Sequence, residues 1–382
     1  MALKVSQRGR VPPFIVMDVL RDANERAAAG KDVLHLEVGQ PSTPAPRGAI
    51  EAAHAALSRE VLGYSDALGL PALRSAIAGY YRSRYGVALD PSRIAVTTGS
   101  SAGFIFACLA AFEPGDKVAI CAPGYPAYRN ILTALDLVPV ELSAGAAERY
   151  QVTLDLLRAQ GRGVEGLIVA SPANPTGTMI PESELAAIAA HCRRAGIRLI
   201  SDEIYHGISY GAPAATALAS NPQAVVVNSF SKYFSMTGWR VGWMVVPDDL
   251  ARAVECLAQN LYVSPPVLSQ HAAIASFDCL AELDANVARY AENRDLLLRE
   301  LPKAGFDRFA PSDGAFYLYA DVAHRTNDSE EFCRRLLRET GVAATPGIDF
   351  DPRRGRATMR LCYAGSTADV AEAARRLKSW KG

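Results

Sequence analysis

The segment Val225-Val226-Val227-Asn228-Ser229-Phe230-Ser231-Lys232 runs from an apolar stretch into Ser-x-Ser-Lys, placing a primary amine where a buried strand ends. Ligands of open α/β sheets bind at the carboxyl ends of the strands. Partial desolvation there lowers a lysine's pKa and makes the amine a nucleophile suited to Schiff-base chemistry. Only seven of the forty basic residues are lysines, so arginine is the routine surface cation and Lys232 stands out. The competing reading is a solvated loop lysine, and the apolar strand before it weighs against that.

Arg240 follows eight residues later, ahead of the apolar run Val241–Val246. Ser229, Lys232 and Arg240 are spaced to converge on one anion, with a hydroxyl and a guanidinium taking phosphate oxygens. Thr97-Thr98-Gly99-Ser100-Ser101-Ala102-Gly103 reads as a strand end, a small-residue turn and a helix start. Free amides and the positive end of a helix dipole would face an anion there. The segment matches neither GxGxxG nor GxxxxGK(S/T), which favours a smaller phosphate cofactor over a nucleotide. Ser171-Pro172-Ala173-Asn174-Pro175-Thr176-Gly177 is turn chemistry after another apolar run. Leu199-Ile200-Ser201-Asp202-Glu203-Ile204-Tyr205 ends a third run on a carboxylate, with a phenol three residues on. Asp202 would equally serve as a helix cap. A strand-end lysine, a phosphate cradle, an asparagine, an aspartate and a tyrosine together suit pyridoxal 5′-phosphate. That cofactor needs a Schiff-base lysine, an acidic partner for its ring nitrogen and a phosphate site.

Such residues require a frame. Short β-branched runs alternate with longer Ala/Leu-rich segments of helical period, the pattern of an α/β protein. Strands are expected at Ile94–Thr97, Lys117–Cys121, Val138–Leu142, Gly166–Ala170, Arg198–Ser201, Ala224–Asn228 and Val241–Val246. Helices are expected at Ala102–Phe112 and Glu182–Ala195, the second between Pro181 and Gly196. From about residue 250 the texture changes to long helical segments, with Pro265-Pro266 breaking one of them. A strand region at Ala315–Asp321, a helix from Ser329 and a strand at Met359–Cys362 follow. This gives a large domain over 46–279, with a mostly parallel central sheet flanked by helices. A smaller α+β domain combines 1–45, including an N-terminal arm, with 280–382.

Composition narrows the functional classes. The 382 residues balance forty Lys plus Arg against forty Asp plus Glu. Zero net charge argues against nucleic-acid partners and polybasic membrane attachment. The longest apolar stretch, roughly Ala102 to Phe112, is too short to span a bilayer. The seven cysteines are scattered with no metal-ligand spacing, so reduced thiols in a cytoplasmic protein and no metal site are expected.

Taken in order, the motifs resemble the class I/II aminotransferases of fold type I, aspartate aminotransferase-like proteins that use pyridoxal phosphate. The resemblance covers nearly the whole chain. It runs through Val38-Gly39-Gln40-Pro41, Gly63-Tyr64 with Gly69 and Leu73-Arg74, and Thr98-Gly99-Ser100-Ser101. Pro123-Gly124-Tyr125-Pro126, Ala173-Asn174-Pro175-Thr176-Gly177 and Asp202-Glu203-Ile204-Tyr205 come next. Ser229-Phe230-Ser231-Lys232 with Gly238-Trp239-Arg240, and Met359-Arg360-Leu361, complete it.

By this resemblance, Lys232 forms the Schiff base and carries the proton during catalysis, and Asp202 pairs with the ring nitrogen. Asn174 and Tyr205 hydrogen-bond the cofactor's phenolic oxygen, while Tyr125 and Ile204 pack its two faces. The amides of Ser100 and Ser101, together with Ser229 and Arg240, hold the phosphate. Tyr64 reaches the phosphate of the neighbouring subunit, implying a homodimer with shared active sites. Arg360 clamps the substrate α-carboxylate, helped by Gly39 and Asn174. The implied reaction is ping-pong transfer of an amino group from an L-amino acid to a 2-oxo acid. A lyase or synthase of the same fold, or a non-enzymatic regulatory module, are the alternatives; the regulators carry a DNA-binding segment for which no room is expected here.

Other conspicuous residues have plainer readings. His206 beside Tyr205, the Phe104–Phe112 stripe, Trp239 and Trp243 read as packing, and Arg193-Arg194 and Arg353-Arg354 as solvated surface. The segment Pro12-Pro13-Phe14-Ile15-Val16-Met17 crosses the active-site mouth by resemblance and is apolar. No second cation for a distal carboxylate is assignable, which tilts substrate choice towards neutral or aromatic amino acids.

Overall fold

In the computed structural model, residues 3–382 are described. The chain opens with helix α1 (Ile15–Ala28) and the two-residue strand β1 (Leu34–His35), followed by helices α2 (Arg47–Arg59) and α3 (Pro71–Tyr85). The seven apolar runs then form β2 (Ile94–Thr97), β3 (Lys117–Ala122), β4 (Val138–Ser143), β5 (Gly166–Ala170), β6 (Arg198–Asp202), β7 (Val225–Ser229) and β8 (Gly242–Val245). They make one sheet in the order β2-β8-β7-β6-β5-β3-β4. Strands β3 to β7 run parallel, and β8 is antiparallel to both its neighbours.

The sheet is covered on both faces, which explains why its strands lack polar alternation. Val226, Leu167, Leu199 and Trp243 enter one core, while their neighbours Val225, Ile168, Ile200 and Met244 enter the other. Helices α4 (Ser100–Ala111), α5 (Pro126–Ala134), α6 (Leu154–Gln160), α7 (Glu182–Ala195), α8 (Asp248–Leu261) and α9 (Val267–Ser276) surround it. Helix α4 packs on β7, β8 and α8, so its nearly unbroken apolar sequence is the composition of a buried helix. The Pro265-Pro266 pair falls between α8 and α9, as expected.

The remaining elements are α10 (Leu280–Glu300), β9 (Tyr317–Asp321), α11 (Ser329–Thr340), β10 (Val342–Ala343), β11 (Thr345–Pro346), β12 (Thr358–Cys362) and α12 (Thr367–Ser379). A second, antiparallel sheet has the order β11-β12-β9, with Arg360 on its central strand opposite Tyr319 and Thr345. Strand β1 pairs with β10 through Leu34 and Val342, tying the N-terminal segment to the C-terminal third. The strand expected from Ala315 begins at Tyr317 because Ala315 adopts a left-handed φ of 54°. No helix among residues 3–382 is long and apolar enough to cross a membrane.

Candidate active site

A cavity of about 550 Å3 lies where β5, β6 and β7 end, bounded on its other sides by residues of β12, α1 and the turn after β1. Its wall includes Gly39, Ser100, Ser101, Tyr125, Asn174, Asp202, Ile204, Tyr205, Lys232, Arg240 and Arg360. Residues spread over more than 300 positions thus meet at one place. Ser229 and Tyr64 are the singled-out residues absent from that wall.

Asp202 is the last residue of β6 and is 4% exposed. Its Oδ1 accepts the Ile204 amide at 3.0 Å, and its Oδ2 accepts the Tyr128 hydroxyl. The local turn therefore occupies one oxygen, while the other faces a partner that sequence reasoning did not find. Burial pushes the carboxyl up to about 6, against the pull of the Tyr128 and Ile204 donors and the Lys232 charge.

Lys232 lies three residues beyond the end of β7, and its Nζ donates to the Gly39 carbonyl at 2.5 Å. Burial brings the amine down to about 8; Arg360 and Arg240 push the same way, opposed by Cys362 and Asp202. An amine brought down in this direction is more readily unprotonated, as a nucleophile or proton acceptor requires.

Gly99 has φ +79°, and a Cβ there would come within 2.9 Å of the Arg240 guanidinium carbon. The glycine lets Arg240 lie directly against the N-terminus of α4, whose N-cap has no side-chain bond of its own. Arg240 itself is left-handed (φ 52°, ψ 50°), a conformation costly for a side-chain-bearing residue, and Nη1 donates to the Thr237 carbonyl at 3.0 Å. Guanidinium, helix amides and the Ser100 and Ser101 side chains form a compact anion site.

Arg360 is 2% exposed. Nη1 donates to the Asn174 Oδ1 at 2.7 Å, and Nη2 donates to the Glu37 carbonyl and, at 3.2 Å, to Thr345 Oγ1. Its guanidinium lies 4.5 Å from the Tyr317 ring centre and 4.8 Å from that of Phe350, so two aromatic faces stabilise the charge. Nε is buried without a partner, a donor left over at a cavity-lining side chain.

Tyr205 shares a 2.6 Å hydrogen bond with the Tyr317 hydroxyl. A Cβ on Gly39 would fall on that same Tyr317 hydroxyl, so Gly39 is required by close approach. Tyr317 thus touches Tyr205, underlies Arg360 and packs on the residue whose carbonyl receives Lys232. Nothing in its local sequence signals this, because its partners lie on other elements. Tyr128 is one helical turn beyond Tyr125, the only local hint available for it.

Ser229 is fully buried, where its hydroxyl donates to the Val241 carbonyl at 3.1 Å and receives the Ser231 amide at 3.1 Å. Ser231 is the serine of this pair that lines the cavity. Tyr64 is 86% exposed. His206 is a core residue: Nε2–H donates to the Ser171 carbonyl and Nδ1 accepts the Tyr85 hydroxyl, and burial lowers its pKa to about 3. Arg354 is exposed, as expected, and its guanidinium also pairs with Asp351 at 2.8 Å and donates to the Ala122 and Ala144 carbonyls, tying the loop between β11 and β12 to the ends of β3 and β4.

Phe14, Val16, Met17 and Leu20 also line the cavity and give it an apolar wall; the first three belong to the N-terminal segment read as apolar from the sequence. Among the described residues, the cationic side chains lining the cavity are Lys232, Arg240 and Arg360.

This fold and site define an aminotransferase. The chain superimposes on a crystal structure of an aminotransferase from Mycobacterium tuberculosis with a TM-score of 0.97, at 52% identity over 99% of both chains. For an aspartate aminotransferase from Thermus thermophilus with maleate the TM-score is 0.93, at 29% identity over 99% of each. Residues 31–377 match the family described as aminotransferase class I and II, and the chain belongs to that family. A valine–pyruvate aminotransferase of Mycobacterium tuberculosis is 53% identical over 99% of this chain and 98% of its own length. A (5-formylfuran-3-yl)methyl phosphate transaminase of Methanocaldococcus jannaschii is 32% identical over 96% of both. The protein is an enzyme that moves an amino group between an amino acid and a keto acid, and the lyase and regulatory alternatives fall away.

Proposed function

We propose that the protein is a pyridoxal 5′-phosphate-dependent transaminase of neutral aliphatic amino acids, working in two half-reactions as a homodimer in the cytoplasm. The observation that carries this reading is the meeting of the Lys232 amine, the buried Asp202 carboxylate and the anion site of α4 and Arg240 in one cavity.

The donor set fits the cofactor. Arg240, the α4 amides and the Ser100, Ser101 and Ser231 hydroxyls would hold a phosphate. Asp202, held in place by Tyr128, would take a protonated ring nitrogen. Asn174 and Tyr205 would take the phenolic oxygen, and Tyr125 and Ile204 the ring faces. Bound there, pyridoxal phosphate supplies the carbonyl that receives the amino group and the electron sink for the bond broken at Cα.

The chain's own groups do the rest. The Arg360 fork orients the substrate carboxylate, with Asn174 fixing its angle, so that Cα–H lies within reach of an amine. Lys232 Nζ, brought down by burial, would take the Cα proton, hold it as an ammonium and deliver it to the carbon that receives the amino group. Asp202 would stabilise the positive charge of a protonated ring nitrogen. Arg360 sits on the smaller sheet, Asp202 ends a strand of the larger one and Lys232 follows another, so the substrate bridges the units we read as 46–279 and the remainder.

The neutral substrate class is supported by the apolar wall and by the lack of a further lining cation, and it agrees with the name of the 53% identical relative. The dimer is supported by exposed Val61 (98%) and Tyr64 (86%), and by the solvent-facing side of Arg240. A cytoplasmic site is supported by seven free cysteines spread over the fold. The test is a panel of amino acids added singly to the cofactor-loaded protein, following cofactor absorbance and the 2-oxo acid released. Valine and its aliphatic relatives should convert one equivalent per site. Conversion by aspartate but not by valine overturns the substrate class, and no conversion by any amino acid overturns the reading.

A further inference from the structure

We propose that Asp349 is the positioning residue of the side-chain pocket: its carboxylate caps the first turn of α1 and so fixes the wall against which an aliphatic substrate side chain packs. The inference rests on the transaminase reading above and deepens it.

Helix α1 has no cap of its own, because its N-cap position is Phe14, which offers no side-chain acceptor. The Ile15 amide instead donates to Asp349 Oδ1 at 3.2 Å, and the Val16 amide to Oδ2 at 3.3 Å, across a sequence separation of 334 and 333 residues. Asp349 is 3% exposed. A sequestered carboxylate at the positive end of a helix dipole, meeting two free amides, is a strong and directional anchor.

The anchor is itself fixed. Asp349 ends the short turn Gly347–Asp349 after β11, and its main-chain carbonyl receives Arg129 Nη2 at 3.4 Å. The next residue, Phe350, receives the Gly124 amide at 3.0 Å and lies under the Arg360 guanidinium. Thr345, on β11, accepts from Arg360 as well. The same short stretch therefore holds the substrate fork at one end and the cap of α1 at the other.

What the capped turn presents is the wall. Phe14, Val16, Met17 and Leu20 face the cavity, with the Phe14 ring edge-on to Tyr125 at 5.7 Å. Ile15 and Val19 turn the other way, beside Leu337 and Pro346. Fixing the first turn thus sets the height and rotation of the apolar face. A displaced wall penalises substrates in proportion to the apolar surface they bury against it, so valine and leucine suffer more than alanine.

The experiment compares wild type, Asp349→Ala and Asp349→Asn as holoenzymes, measuring kcat and KM for alanine, valine and leucine with one 2-oxo acid. Amide hydrogen exchange of the segment containing Ile15 and Val16 is read without amino acid present. In Asp349→Ala, exchange there should quicken, and the valine-to-alanine ratio of kcat/KM should fall about tenfold, chiefly through KM. Asp349→Asn keeps one acceptor oxygen and should lie between. An equal fall for all three amino acids, or quickened exchange with an unchanged ratio, overturns the proposal. If Asp349→Ala does not fold, Asp349→Asn is judged by the same ratio. Wild type failing on all three amino acids would instead overturn the transaminase reading.

Discussion

Tyr128 donates its hydroxyl to Asp202 Oδ2 with both side chains closed off from solvent. The bond opposes the burial that pushes this carboxyl up to about 6 and so favours its charged form. Tyr128→Phe removes the donor and should lower kcat about tenfold with the fold retained, whereas Asp202→Asn, which removes the charge, should cost at least about a hundredfold more. Steady-state kinetics on both holoenzymes checks this. Equal losses would mean that the phenol, and not the carboxylate, carries the effect.

Lys232 should behave as an unusual amine in the cofactor-free protein. Its acylation rate, followed on the Lys232 peptide by mass spectrometry, should titrate at about 8. Asp202→Asn should lower that midpoint, and Arg360→Met should raise it, because the first removes a charge that favours the ammonium and the second one that opposes it. The folded state binds fewer protons at Lys232 than the unfolded chain between about 8 and 10.5, so this group's penalty is full below 8 and is relieved as pH rises through that window. Lys232→Met should flatten that part of the Tm-versus-pH curve in the cofactor-free protein.

The two arginines should separate. Arg360→Lys keeps the charge but loses the planar fork, so kcat/KM should fall by at least about tenfold, or 1.4 kcal/mol, for every amino acid while cofactor affinity holds. Arg240→Lys should instead raise the cofactor dissociation constant. Titrations of cofactor and of amino acid on both variants decide the matter. Exchanged phenotypes would mean that the assignments are exchanged.

Tyr64 should act across a subunit boundary. Mixed Lys232→Ala and Tyr64→Ala subunits should regain activity above either parent, because one site of each hybrid recovers both Lys232 and the partner's Tyr64. Fully active monomers in sedimentation at assay concentration would contradict this.

The sequence made the frame legible wherever burial forces a residue type. The inner strands of the large sheet were readable because strands covered on both faces carry almost nothing but apolar residues, whereas the partly exposed edge strand β4 was marked by its β-branched Val138 and Val140. Lys232 and Asp202 were readable because they interrupt such runs at the ends where ligands bind. Tyr128, Tyr317 and Asp349 were not, since each acts on a partner far away in the chain and has no local pattern to mark it. Ser229 and Ser231 differ by two positions, and only the turn after β7 decides which hydroxyl faces the cavity. Arg353 and Arg354 are both exposed, and the bonds of Arg354 to the Ala122 and Ala144 carbonyls have no local pattern because those carbonyls lie more than 200 residues away.

Borohydride reduction of the loaded protein, followed by peptide mapping, asks whether this cavity carries pyridoxal phosphate on Lys232. One reduced adduct per chain is expected on the peptide containing Ser231-Lys232, none in Lys232→Ala, and protection of the site by prior conversion with valine. An adduct on any of the other six lysines, or an unlabelled chain that still transaminates, would contradict this assignment.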